Sequence, residues 1–284
     1  MNILPIHPPG ASLRVGLHGG RRPLRSAIWL SSALLLAACA HSPQPAVPST
    51  AAEAGPASLN VADAAIAGGN PTMALSVSQS VLQNDPGNVD ALEHEGDAYY
   101  ALDRCPSAMA AYKLALTHNP SATEAQTGLG RCLLKTDPHA AELAFDAAIQ
   151  DDPGNADALN DLGIARDLQG NFAGAVDPYQ KALLADPSMT AGEVNLGLSL
   201  ALSGHGPAAL QYLGPLATGP NATPKIREDY AAALVASGRH DEARQVLAID
   251  LPPDQVETAL NGFASVIAAS QQPPPPPAPP APTL

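Results

Sequence analysis

Three cysteines and eight histidines are where chemistry would first be sought in this chain. Cys39 closes the stretch "SSALLLAACAHSPQP", residues 31–45, where an apolar run through Leu34, Leu35 and Leu36 gives way to proline-rich polar chain. A thiol there could be a core residue, half of a disulfide, or a handle for modification. His94-Glu95 begins like the zinc-binding helix of a metalloprotease, but Ala98 stands where the second histidine ligand would be. The five histidines beyond residue 41 are scattered without metal-ligand spacing. No glycine-rich phosphate loop, serine elbow or paired-carboxylate site is present. The expectation is a chain without catalysis, metal or cofactor.

Composition narrows the partners. Of 284 residues only ten are aromatic, so a core must come from close-packed helices of small residues. The formal charge is −13, and residues 1–38 hold four arginines and no acid. Beyond them, ten Lys and Arg face 27 Asp and Glu, a net −17. So acidic a surface repels phosphate, which argues against a nucleic-acid partner.

Arg21, Arg22 and Arg25 precede an apolar stretch from Ala27 to Ala40, with small residues Ala37 and Ala38 after Leu36. Charge, apolar run and small residues in that order describe an export signal. The run is shorter than the roughly 20 apolar residues a membrane span needs. Leu36-Ala37-Ala38-Cys39 resembles the lipobox of bacterial lipoproteins, which implies that residues 1–38 are removed and Cys39 becomes a lipidated N-terminus. An ordinary secretory signal with a chance cysteine is the alternative. Ala40, in place of an aspartate, implies sorting to the outer membrane by the same resemblance. Residues 39–57 read as a flexible tether, rich in proline and small residues.

The body repeats. "NDP" at 84–86, "NP" at 119–120, "DDP" at 151–153, "ADP" at 185–187 and "TGP" at 218–220 fall 33 or 34 residues apart. Within "DALNDLGIARDLQGNFAGAVDPYQKALLADP" stand Leu162-Gly163, Gly170, Ala175, Tyr179, Ala182 and Pro187, and matching residues return in neighbouring intervals. This resembles the tetratricopeptide repeat over about residues 58 to 250. The resemblance implies an all-α, right-handed TPR superhelix of about six helix-turn-helix units. Each unit leaves an apolar face that only stacking can bury. Pro178 falls inside a second helix, where a bend is expected. Residues 251–270 carry Val256, Leu260, Phe263 and Ile267 on one helical face and read as a capping helix. The proline-rich tail, 271–284, reads as polyproline II, a spacer or a docking peptide. Both ends of the array are thus expected to be flanked by disordered segments. In the repeat frame Cys105 begins the second helix of unit two, and Cys132 lies late in the first helix of unit three. They can meet as a disulfide in an oxidising compartment; two buried thiols are the alternative, because spacing does not reveal connectivity.

In this architecture the first helices line a concave groove. The register places there Asp90, Glu93, Asp97 and Tyr100, then Arg131, then Asp157, Asn160, Asp161 and Asp167, and finally Asn195. Val194, Leu198 and Ala201 would follow as an apolar stretch. A basic or helical partner segment suits such a surface, acids steering it and apolar residues holding it. Alternatively the charges only keep the surface soluble.

The run "VNLGLSLALSGHGPAALQYLGPLATGPNATPKIREDYAAALVASGRHDEA" (194–243), behind a lipobox and a tether, resembles the TadD-type lipoproteins of the Flp (tight-adherence) pilus system. Asp229-Tyr230 departs from the Asn-Leu more usual there. The resemblance implies a non-catalytic scaffold in pilus or secretion assembly, anchored to the outer membrane by lipid. A type IV pilus biogenesis lipoprotein and an envelope lipoprotein regulating a peptidoglycan enzyme are the rival readings.

Overall fold

The computed structural model describes residues 56–272, so Cys39, most of the tether and the proline-rich tail lie outside it. The described residues form thirteen α-helices and no strand. Six antiparallel pairs follow one another: α1 (Pro56–Ala67) with α2 (Pro71–Asn84), α3 (Val89–Ala101) with α4 (Cys105–His118), α5 (Thr123–Leu133) with α6 (Pro138–Asp151), α7 (Ala156–Leu168) with α8 (Phe172–Ala185), α9 (Thr190–Leu202) with α10 (Gly206–Thr218), and α11 (Pro224–Ala236) with α12 (His240–Leu247). A single helix, α13 (Pro253–Ser270), ends the array. Every helix packs on its chain neighbours, and successive first helices pack on each other, as in a solenoid.

Local sequence sets the boundaries. Asn88 and Asn155, the last residues of the two "DPGN" turns, cap α3 and α7: each side chain accepts a 2.9 Å hydrogen bond from the amide three residues on. Such a bond satisfies one of the amides a helix start leaves free. Asn70, Asp137, Asn171 and Thr223 do the same for α2, α6, α8 and α11. Pro71, Pro138, Pro224 and Pro253 open their helices, where no amide is needed. Between first and second helices the chain reverses through left-handed backbone at Gly170 (φ +76°), while unit two makes the same reversal through Asp103 (φ +57°).

The units interlock through glycine and ring. A Cβ on Gly96 would lie 2.3 Å from the Tyr112 ring, and one on Gly128 of the next unit would also lie 2.3 Å from it. Tyr112 is therefore wedged between two first helices. Gly130 and Phe145, Gly163 and Tyr179, and Gly197 and Leu213 repeat the close approach. These large side chains are all but fully buried. From α6 onward the buried apolar residues form one continuous core reaching α13, while units one to three hold smaller separate clusters.

Two sequence expectations meet specific geometry. Helix α8 continues through Pro178, which is buried inside it. Proline leaves the carbonyl four residues earlier, that of Gly174, without its helical donor. The Arg166 guanidinium supplies one at 3.0 Å. Cys105 and Cys132 are joined as a disulfide with their Cα atoms 5.4 Å apart, within the usual span for such a bridge.

Candidate partner-binding groove

The first helices α3, α5, α7, α9 and α11 pack on one another in succession, and the predicted groove residues they carry divide into two sets. Asp90 and Asp157 are exposed, and Asp97, Tyr100 and Arg131 are half-buried. Asn160, Asp161, Asp167, Asn195 and Glu93 are buried, so the structure corrects their placement: they face neighbouring helices and are not available to a partner.

The buried set is consumed in bonds between units. The Asn195 amide donates to Asn160 Oδ1 at 3.1 Å, and the Asn160 amide donates to Asp161 Oδ1 at 3.3 Å. Arg131, from unit three, donates through Nε to Asp161 Oδ2 at 2.6 Å and through Nη2 to Asp157 Oδ2 at 3.1 Å. Asp167 accepts from Tyr179 Oη at 2.8 Å and from Ser199 Oγ at 2.6 Å. Glu93 accepts from the Ala125 amide of the following unit at 3.1 Å. Stacking brings successive first helices close enough that polar side chains satisfy each other, because a buried polar group left unpaired is costly.

Burial leaves its mark on the acids. Desolvation pushes Glu93 and Asp167 up to about 7, against hydrogen bonds that pull both down, and pushes Asp229, buried in α11, up to about 6. Asp97, half-buried and accepting from Tyr112 Oη at 2.7 Å, is raised for the same reason. Low-dielectric surroundings disfavour the charged form of a carboxyl.

The expected apolar stretch is corrected too. Val194, Leu198 and Ala201 are buried in the continuous core. Helix α13 packs on α11 and α12 and reaches over to α9, and Ser270 Oγ donates to the Leu202 carbonyl at 2.5 Å. Its buried Val256, Leu260, Phe263 and Ile267 join the same core. Helix α13 thus shares one apolar core with these buried residues of α9.

What stays open is a pocket of about 280 Å³ in units two to four. It is lined by Asp97, Glu124, Thr127, Arg131, Asn155, Ala156, Asp157, Asp186 and Met189. Four carboxylates face it, and its single guanidinium is already paired with Asp157 and Asp161. Glu124, Asn155, Asp186 and Met189 were absent from the sequence-based set. They sit at helix starts and in the inter-unit turns, and Asp186 belongs to the "ADP" turn that marked the repeat. Among the described residues no group of three His, Cys, Asp or Glu side chains is placed to hold a metal ion.

The tetratricopeptide-repeat profile matches residues 59–122, 94–137 and 135–190. Among solved structures, pilF of Pseudomonas aeruginosa is 17% identical and superposes with a TM-score of 0.61, covering 76% of this chain and 99% of that one. PilW, described as a type IV pilus biogenesis factor, is 21% identical with a TM-score of 0.60, covering 72% and 97%. YrrB, described as a TPR protein with an unusual peptide-binding site, is 16% identical with a TM-score of 0.52, covering 69% and 98%. At these identities the likeness is one of fold. A stretch of 117 residues is 38% identical to the probable UDP-N-acetylglucosamine–peptide N-acetylglucosaminyltransferase SPINDLY of Arabidopsis thaliana, covering 40% of this chain. This chain spans only 12% of that protein, and the likeness lies in the repeats. Glycine-on-ring stacking, paired helices and profile agree: the chain carries tetratricopeptide repeats and its described residues fold as an all-α repeat solenoid.

Proposed function

We propose that this protein is a non-catalytic docking scaffold, lipidated on Cys39 and held at the outer membrane, that takes a basic, helical segment of a partner in the Flp pilus secretion apparatus. The observation that carries the binding half of this reading is the open pocket of units two to four. It presents four carboxylates, and its one cation is already spent inside the molecule. A lysine- or arginine-bearing segment gains attraction there, while an acidic segment or a free C-terminal carboxylate meets like charge. The pilus half rests on the order of lipobox, tether and repeats and on the segment 194–243. The fold likeness to pilF and PilW favours a second reading, the same scaffold role in type IV pilus biogenesis.

Capture of cross-linked partners from envelope extracts tests the pocket. The pocket acids Glu124 and Asp186, neither of them bonded to Arg131, are changed together to lysine and asparagine in the full chain. The expected result is a loss of capture of about tenfold or more with circular dichroism unchanged, and a wild-type interaction that weakens with salt. Undiminished capture at low salt would sink the groove reading. For the anchor, labelled palmitate should enter the wild-type chain and not a Cys39→Ser variant. Identification of the captured proteins separates the two pilus systems.

A further inference from the structure

One wall of the acidic pocket is α5, which supplies Glu124, Thr127 and Arg131. By itself α5 is a poor helix. At 11 residues it is shorter than every other described helix except α12. Ala122 stands at its N-cap and offers no side-chain bond. Gly128 and Gly130 lie in its interior, where the Tyr112 and Phe145 rings leave no room for a Cβ and where glycine weakens a helix. An isolated helix this short is marginal in water. Yet Arg131 on α5 must hold Asp161 and Asp157 on α7 to keep the wall in place. The residue beside Arg131 is Cys132, bonded to Cys105 at the start of α4.

We propose that the Cys105–Cys132 pair is a redox latch on this wall. Oxidised, it clamps the weak helix α5 to α4, and the pocket is formed. Reduced, α5 loosens, the grip of Arg131 on α7 slackens, and the pocket opens along that side. The reductant is a dithiol. Its thiolate attacks the sulfur of Cys105, which is half-buried where Cys132 is only 7% exposed. The S–S bond breaks, and Cys132 departs as a thiolate and takes a proton. The second thiol of the reductant then displaces Cys105 and leaves as a cyclic or protein disulfide, so two electrons and two protons pass to the pair. Cys105 is the first residue of α4, where the free amides of a helix start favour the departing thiolate. The latch stands on this geometry alone, whatever the pocket binds.

The test is amide hydrogen exchange on the full chain, purified without reductant and compared before and after dithiothreitol. Exchange over residues 126–134 should quicken by about tenfold or more on reduction, while α9 and α11 stay within about twofold. The first thermal transition should fall by about 5 °C or more. A Cys105→Ala, Cys132→Ala double variant should match the reduced protein and lose its response to dithiothreitol. Equal exchange of residues 126–134 in both states would overturn the latch. So would alkylation of both cysteines in protein never exposed to reductant, or a loss of protection spread evenly to α9 and α11. None of these readouts involves a partner, so failure of the latch and failure of the docking reading are distinguishable.

Discussion

Asp167 shows what burial does to a single acid. Its hydrogen-bond partners are the hydroxyls of Tyr179 and Ser199, with no cation among them. Desolvation holds it up at about 7, so near neutral pH much of it is protonated in the folded chain. Glu93, likewise at about 7, behaves the same way. In the unfolded chain both would titrate near 4. Between about pH 4 and 7 the folded state therefore binds more protons than the unfolded state. The stabilisation from these groups is complete below pH 4 and is lost as pH rises through about 7. The thermal midpoint should accordingly be higher at pH 5 than at pH 8. An Asp167→Asn variant, which keeps hydrogen-bonding capacity without the charge, should show a shallower slope and exceed the wild type at pH 8. An unchanged slope would mean that Asp167 remains ionised in the fold. Sequence could place Asp167 on the inner side of α7, but whether that side meets solvent or Ser199 depends on the stacking of unit five.

At the scale of the element, α8 shows how a local rule is broken and repaired. Proline inside a helix orphans a carbonyl, and the expectation from sequence is a bend. Arg166, at the end of α7, donates to that carbonyl of Gly174 while its Nε holds Glu142 of α6 at 2.8 Å. Gln169 reaches the other oxygen of Glu142 at 2.7 Å, tying unit three to unit four. Replacing Arg166 by alanine should cost about 1–3 kcal/mol, the range for stranding a partly buried acceptor. In a Pro178→Ala background the helix regains its own donor, so the cost should shrink. Equal costs in the two backgrounds, read by thermal denaturation as a double-mutant cycle, would refute the compensation. The sequence placed Pro178 inside a second helix, but its compensation by Arg166 is fixed by the turn at Gly170, which brings α8 back along α7.

For the molecule as a whole, the decisive feature is α13. A solenoid must cover its final apolar face. Here α13 extends beyond the last unit to α9 and joins the core of the later units, while the open acidic pocket lies in units two to four. Val256, Leu260, Phe263 and Ile267 are each buried, and burial of such a side chain contributes about 1.5–3 kcal/mol. A chain ending at Pro252 should thus lose stability mainly in units five and six. The expected signs are increased binding of a hydrophobic dye, a thermal midpoint lower by about 5 °C or more, and protection retained in α3 to α7. A truncated chain with wild-type melting and no added dye binding would show that α13 is dispensable.

The sequence by itself determined the repeat, the pairing of helices, the caps and turns, and the acidity of the surface. All of these depend on residues close in the chain or on a fixed period, as with Asn88 and Asn155 at their helix starts and Tyr112, Phe145 and Tyr179 opposite their glycines. The resemblance to the tetratricopeptide repeat also implied which helices face inward. Only the tertiary structure decided which inward residues remain accessible. Asn160, Asp161, Asp167 and Asn195 look like groove residues by register, yet they are spent on bonds to neighbours 30 or more residues away or to a ring across their own unit. Val194 and Leu198 look like a partner's foothold, yet they are sealed in the core that α13 completes. The physical reason is that register sets direction along one helix, whereas exposure depends on how closely the next helices approach. That distance is set by the packing of Gly96, Gly128 and Gly163 against rings and by a helix that arrives last in the chain.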